Sequence, residues 1–236
     1  MVNRTVAVVP AAGRGARMGS HTPKQFLLLG GVPILVHSLR VLEAAPAVEH
    51  VILAVPEADR EYCLREIVTR YQFSKVTKVV AGGEHRQDSV RHGVQAVGQE
   101  ADLVLVHDAV RPLITADLVE RVIRRAGEVG AAIVAIPMRD TVKQVGPEGM
   151  IEVTVDRGQL WLAQTPQVFR ATVLREAHRK AHLENFHATD DAQLLEWLGH
   201  PVAVVDGSEE NIKVTRPEDL AIGEAILAAR SGKRQA

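Results

Sequence analysis

The chain contains a single cysteine, Cys63, in 236 residues, so no disulfide can form within it. That thiol sits inside a helix-like stretch and is expected to be buried and inert. Aromatic residues make up only 3% of the sequence, too few for the stacked platforms that grip single-stranded nucleic acid. Charge of neither sign prevails: 28 Lys and Arg against 29 Asp and Glu leave a net charge of -1. A chain without a basic field is not drawn onto nucleic acid or an anionic membrane. No apolar run approaches the ~20 residues of a membrane span, and the first strand is entered without a charged-then-apolar leader. The expected compartment is therefore the cytoplasm, with neither nucleic acid nor membrane as partner.

What the sequence does have is 46% hydrophobic residues, enough for a well-buried core in one large domain. Residues 5–9, 48–55, 75–80, 103–106 and 131–136 are short β-branched runs. Between them, residues 33–45, 57–71, 87–97 and 116–129 carry apolar side chains at helical spacing, as with Ile34, Leu35, Leu39 and Leu42. Strand-helix alternation predicts a parallel sheet covered by helices on both faces, a Rossmann-like three-layer α/β sandwich. Further helices are expected over 172–182 and 190–198, the second ended by Gly199, with a strand over 202–205. A last helix begins after Thr215, with Pro217 in its first turn and Glu218 at the capping-box position. Residues 141–145 and 150–155 alternate at period two around Gly146-Pro147-Glu148-Gly149, a hairpin signature. A two-stranded ribbon is marginal alone, so this arm at about 139–160 must pack either on a second subunit or as an antiparallel edge on the same sheet.

Ligands of parallel sheets bind beyond the carboxyl ends of the strands. The first strand runs into Ala11, Ala12, Gly13, Arg14, Gly15, Ala16 and Arg17, then Pro23, Lys24, Gln25 and Phe26. Small residues let backbone N–H groups approach an oligophosphate, and the fixed cations Arg17 and Lys24 can neutralise charge that moves during a reaction. The dinucleotide fingerprint is excluded because Met18 stands where its third glycine belongs, and the P-loop because Lys24 is misplaced and follows a proline. The next strand ends deliver Gly82, Gly83 and Ser89, and then His107, Asp108 and Arg111.

Nothing in the sequence suggests covalent catalysis: no serine sits in a G-x-S-x-G turn. His178 and His182 lie one helical turn apart but lack a third ligand, and are expected on exposed helix surface. Phosphoryl-type transfer needs no protein nucleophile, only alignment and neutralisation of the leaving oxygens. Arg17 and Lys24 suit the second task, with Mg²⁺ held mainly by phosphate oxygens and water. Asp108 suits either that metal or a sugar hydroxyl. Arg157 and Lys213 are either surface cations or a grip for a phosphorylated acceptor away from the triphosphate.

Gly13-Arg14-Gly15-Ala16-Arg17-Met18, Pro23-Lys24-Gln25-Phe26, His107-Asp108-Ala109, Arg139-Asp140-Thr141, Thr154-Val155-Asp156-Arg157, Leu162-Ala163-Gln164-Thr165-Pro166-Gln167, Thr189-Asp190 and the segment 211–219 occur in this order over nearly the whole chain. Together they resemble the 2-C-methyl-D-erythritol 4-phosphate cytidylyltransferases. The resemblance implies a single nucleotidyltransferase domain over 1–236 that joins CTP to methylerythritol phosphate and releases pyrophosphate. It further implies a homodimer whose hairpin arms embrace the neighbour. By similarity Arg17 and Lys24 stabilise the transition state, while Lys213, and Arg157 reaching across the dimer, position the acceptor phosphate. Ala11, Ala12, Gly13, Gly15, Gly82, Gly83 and Ser89 would surround CTP; Asp108, Arg111, Thr141, Thr165 and Thr189 would line the acceptor pocket. Val110 departs from the family's usual alanine and adds bulk beside Asp108. A ribitol 5-phosphate cytidylyltransferase and a non-catalytic nucleotide-binding regulator are the competing readings.

Overall fold

A computed structural model describes residues 3–13 and 22–232. The chain opens with strand β1 (Thr5–Pro10), a short β2 (Leu28–Leu29) and β3 (Val32–Pro33) ribbon, and helix α1 (Ile34–Ala44). Strand β4 (Val48–Val55) leads into a helical segment of changing pitch: a 3₁₀ turn over Glu57–Asp59, α2 (Arg60–Tyr62), and a π-helical run over Cys63–Thr69. Then come β5 (Val76–Ala81), α3 (Arg86–Ala96), β6 (Leu103–Val106), α4 (Ala116–Val129) and β7 (Ala131–Pro137). The remainder is the β8 (Val142–Val145) and β9 (Ile151–Val155) hairpin, β10 (Trp161–Arg170), α5 (Ala171–Leu183), α6 (Asp191–Trp197), β11 (Ala203–Asp206) and α7 (Pro217–Gly232).

The described residues form a seven-stranded sheet in the order β11-β7-β10-β6-β1-β4-β5. It is parallel except for β10, which runs antiparallel to both of its neighbours. Period-two alternation survives inside fully buried strands. Ala7 and Val9 join Leu103 and Leu105 against the face covered by α1 and α4, whereas Val6 and Val8 join Val104 and Val106 against α3, α5 and α6. Both faces are covered, which gives the three layers expected from the alternation.

Local chemistry explains the ends of α4, the most strongly amphipathic of the helices. The Thr115 hydroxyl accepts the Leu118 N–H at 3.3 Å, and Gly130, at φ 96°, supplies the left-handed residue that terminates it. Helix α6 ends similarly, with Gly199 at φ 76°. At α7 the capping carboxylate belongs to Asp219 rather than Glu218. Asp219 accepts the Thr215 N–H at 2.6 Å, the Thr215 hydroxyl at 3.0 Å and the Arg216 N–H at 2.8 Å.

Strand β10 has no counterpart in the sequence reading, because Gln164, Thr165, Pro166 and Gln167 resemble loop residues. Its register sets Gln167 opposite Val106, so Thr165 and Gln164 are carried past the carboxyl end of β6. The β8–β9 hairpin pairs only with itself, which excludes the edge-strand alternative. It leaves Met150 70% and Ile151 63% exposed, with Val145 and Val153 also open.

Candidate active site

Every parallel strand of the sheet ends on one rim. There β1 delivers Ala11 to Gly13, β5 delivers Gly82 and Gly83, and β6 delivers His107 and Asp108. Gly82 is required by close approach: a Cβ there would stand 2.3 Å from that of Ala12 and 2.9 Å from the Ser89 hydroxyl. The Ser89 hydroxyl accepts the Gly83 N–H at 3.1 Å and donates to the His85 carbonyl at 3.1 Å, fixing the turn into α3.

Two cavities open on this rim. One, of about 240 Å³, lies against Ala11, Ala12, Gly13, Lys24, Gly83 and Ser89. The other, of about 190 Å³, lies against Arg111, Gln164, Thr165, Thr189 and Asp190. Arg86, Asp108 and Lys213 line both and form the partition between them.

That partition is a charge cluster. Asp108, 5% exposed, accepts Arg86 Nε at 2.8 Å on one oxygen and pairs with Lys213 Nζ at 2.7 Å through the other. Arg86 Nη1 reaches Asp191 at 2.8 Å, and His178 Nε2 stands 3.2 Å behind Asp191 on its second oxygen. Burial alone would raise the Asp108 pKa, but Arg86 and Lys213 overcome it and hold the carboxyl far below its ordinary range. Asp191 is likewise held low against its burial by Arg86 and His178, and Arg86 is held firmly protonated by the two carboxylates.

His107 backs this wall and is fully buried. Its Nε2 lies 3.1 Å from the Arg111 carbonyl, which can only accept, so that nitrogen carries the proton. Its Nδ1 then accepts from the Thr165 hydroxyl at 3.1 Å, and the same hydroxyl oxygen accepts the Asp108 N–H at 3.0 Å. Burial pushes the imidazole down to about 4, against the pull of Asp108, so it is a neutral strut. Beside the second cavity Asn211 ties two segments together, donating to Gln164 at 3.1 Å and to the Thr165 carbonyl at 3.0 Å, while its backbone carbonyl receives Arg111 Nη1 at 2.8 Å.

Most residues singled out in the sequence converge here. Ala11, Ala12, Gly13, Lys24, Gly83 and Ser89 face one cavity, Arg111, Thr165 and Thr189 the other, and Asp108 and Lys213 both; Gly82 underlies the turn. Gly15 and Arg17 lie outside the described residues. Arg157 and Thr141 belong to the exposed arm and line neither cavity; Arg157 Nη1 donates to the Arg139 carbonyl. Val110 is 5% exposed and packs with Leu29, Ile34, Leu113 and Val214, so its extra bulk is taken up by a core cluster as well as the cavity wall. His178 corrects the expectation of an exposed residue: it is 2% exposed, on the face of α5 that also buries Leu174 and Ala181. Sequence reasoning passed over Arg86 and Asp191. Their signal was position, since each is the first residue of a helix that starts at the rim.

A glycine-lined cavity with a lysine, separated by an ion-paired wall from a second polar cavity on an α/β sheet, fits a nucleotidyltransferase. The chain belongs to the 2-C-methyl-D-erythritol 4-phosphate cytidylyltransferase (IspD) family, whose model matches residues 5–229. It is 46% identical over 233 residues to the 2-C-methyl-D-erythritol 4-phosphate cytidylyltransferase of Syntrophus aciditrophicus, covering 99% of this chain and 100% of that one. The enzyme of the same name from Syntrophotalea carbinolica is 48% identical over 221 residues, covering 93% and 94%. Among solved structures, 2-C-methyl-D-erythritol 4-phosphate cytidylyltransferase from Thermus thermophilus superposes with a TM-score of 0.78 at 34% identity, covering 94% of this chain and 98% of that one. The 4-diphosphocytidyl-2C-methyl-D-erythritol synthase of Anaerococcus prevotii superposes with a TM-score of 0.84 at 28% identity, covering 97% and 100%.

Proposed function

We propose that this cytidylyltransferase makes 4-diphosphocytidyl-2-C-methyl-D-erythritol by direct in-line displacement, with CTP in the glycine-lined cavity and methylerythritol phosphate in the cavity beside β10. A phosphate oxygen of the acceptor forms a bond to the α-phosphorus of CTP as the bond to the bridging oxygen breaks, and pyrophosphate leaves with that electron pair. The attacking phosphate is already an anion, so no protein base is required. The observation that carries this reading is the shared partition: Arg86, Asp108 and Lys213 border both cavities, which sets the two substrates on either side of one ion-paired cluster.

Lys24, with Arg17, is assigned to the charge that grows on the departing pyrophosphate. Lys213 is assigned to the acceptor phosphate, which must compete with Asp108 for it. Both Asp108 oxygens already face cations, so Asp108 does not fit as a metal ligand. Among the described residues no group of three or more His, Cys, Asp or Glu side chains could hold a metal ion. Mg²⁺ is therefore assigned to the CTP phosphate oxygens and water, where it neutralises charge, and no residue is given to it.

The apolar arm supports a homodimer in which Arg157 and Thr141 complete the acceptor site of the neighbouring subunit, since neither reaches the cavities of its own chain. No helix of the described residues is long and apolar enough to cross a membrane. The cytoplasm remains the location this reading assigns. Pyrophosphate release measured over four nucleoside triphosphates and several polyol phosphates tests the whole reading. Turnover confined to CTP with methylerythritol phosphate is expected. Preference for ribitol 5-phosphate would move the acceptor assignment, and CTP binding without turnover would leave only a nucleotide-binding regulator.

A further inference from the structure

Asp191 touches neither cavity, yet it is 1% exposed and ion-paired, a placement the reaction as described does not use. It is the first residue of α6, and its backbone N–H donates to Gln167 of β10 at 3.2 Å. One of its oxygens receives Arg86 Nη1, and His178 stands against the other. The Arg86 guanidinium is a rigid planar fork, so two carboxylates bound to different nitrogens fix its plane as well as its position. Its second carboxylate is Asp108, whose remaining oxygen holds Lys213. A continuous file, His178, Asp191, Arg86, Asp108 and Lys213, therefore runs from α5 to the wall of the acceptor cavity.

We propose that Asp191, braced by His178, is a positioning residue for the acceptor: it aims the Arg86 fork at Asp108 and anchors the start of α6, which follows Thr189 and Asp190 of the second cavity. This rests on assigning that cavity to the acceptor. Arg86 borders both cavities, whereas Thr189 lines only the second, so the acceptor is expected to lose more than CTP. Asp191→Asn loosens α6 and the fork, but it also takes a negative charge from a cluster in which two carboxylates balance Arg86 and Lys213. The added positive charge favours both phosphorylated substrates, so the loss that remains is the one at Thr189 in the second cavity, whereas general loosening of the fold would weaken both substrates alike.

Steady-state kinetics with each substrate varied in turn tests this on the full chain. Asp191→Asn is expected to raise the acceptor KM about tenfold with kcat within about threefold and no rise in the KM for CTP; Asp191→Glu should recover part of the loss. Arg86→Lys replaces the fork with a point charge and should raise the acceptor KM by itself. Adding Asp191→Asn to Arg86→Lys should raise the acceptor KM by less than the product of the two single effects, because part of the effect of Asp191 passes through Arg86. An unchanged acceptor KM, equal rises for both substrates, or effects that multiply in the double variant would overturn the proposal. Should Asp191→Asn fail to fold, an unchanged acceptor KM in Arg86→Lys overturns it alone. Thr189→Val separates the two readings: if it leaves the acceptor KM unmoved, the cavity assignment fails, and if it raises that KM while Asp191→Asn does not, only the role of Asp191 fails.

Discussion

His107 makes the stability of this fold depend on pH in the histidine window, because its value differs between the folded and unfolded chain. Its ordinary value of 6.5 falls to about 4 in the folded protein, because burial penalises the charged ring and outweighs the opposing pull of Asp108 and the Arg111 carbonyl, with the Arg111 and Arg86 cations adding to the fall. A depressed value means that the unfolded chain takes up the proton first. The stabilisation is thus fully present above 6.5 and is lost as the pH falls toward 4. The shift corresponds to about 3.4 kcal/mol when complete, and to about 2.5 kcal/mol between pH 7 and pH 4.5. The low-lying carboxylates Asp108, Asp191 and Asp219 change their contribution in a lower window, as the pH falls through the ordinary carboxylate range. His37 is also lowered by burial and adds to the slope in the same direction, so the wild type alone does not isolate His107.

The comparison that isolates it is His107→Gln, an amide that can donate to the Arg111 carbonyl and accept from Thr165 but does not titrate. Denaturant unfolding at the two pH values gives four free energies. The variant is expected to start lower at pH 7, by about 1–3 kcal/mol for imperfectly paired buried groups, yet to lose about 2.5 kcal/mol less than wild type on acidification. Parallel losses in the two proteins would refute the reasoning, since they would show that His107 is neither buried neutral nor confined by these partners.

Four other outcomes follow from the same geometry. Lys24→Ala, and Arg17→Ala by the sequence argument, should raise the barrier to turnover by about 2.7–4 kcal/mol while CTP affinity falls much less; equal losses of binding and turnover would remove the transition-state role. Gly82→Ala brings a Cβ to 2.3 Å from Ala12 and should cost about 1–3 kcal/mol of stability, with weakened CTP binding by calorimetry. On the proposed crossed-arm dimer, mixed dimers of Arg157→Ala and Lys24→Ala subunits should regain part of the activity that each variant alone lacks, because one intact site is rebuilt; verified mixed dimers with no recovery would exclude the crossed arm. Cys63, 0% exposed and pushed up to about 12 by burial and by Asp59, should react with thiol reagents only as the protein unfolds.

The sequence made the periodic parts legible and obscured the irregular ones for a physical reason. Residues 103–106 and 116–129 coincide with β6 and α4 because hydrophobic period and caps agree there. Strand β10 broke the rule that polar residues mark loops. Thr165 bonds the His107 ring and the Asp108 backbone, while Gln167 donates to Asp190 at 2.8 Å and accepts the N–H groups of Asp191 and Ala192. These polar side chains are satisfied by the site they build, so they can be buried in mid-sheet. His178 was readable in principle, since it shares a helix face with Leu174 and Ala181, but only the pairing with Asp191 gives that burial a purpose.

The partition also explains how cations can line a cavity before a ligand arrives. Removing one member of a buried ion pair leaves an uncompensated charge, which is far worse than keeping both. Here Asp108 and Asp191 balance Arg86 and Lys213, so the wall is charge-neutral in itself. On the proposed reading, two phosphorylated substrates then bring their own negative charge to the same wall, and Lys213, 37% exposed at its side chain, is the member able to turn toward them. Arg86 cannot follow without abandoning two carboxylates at 2.8 Å. On that reading a partly exposed lysine beside a doubly bridged arginine separates the two tasks of the wall, holding the phosphate that attacks and keeping the boundary it must attack across.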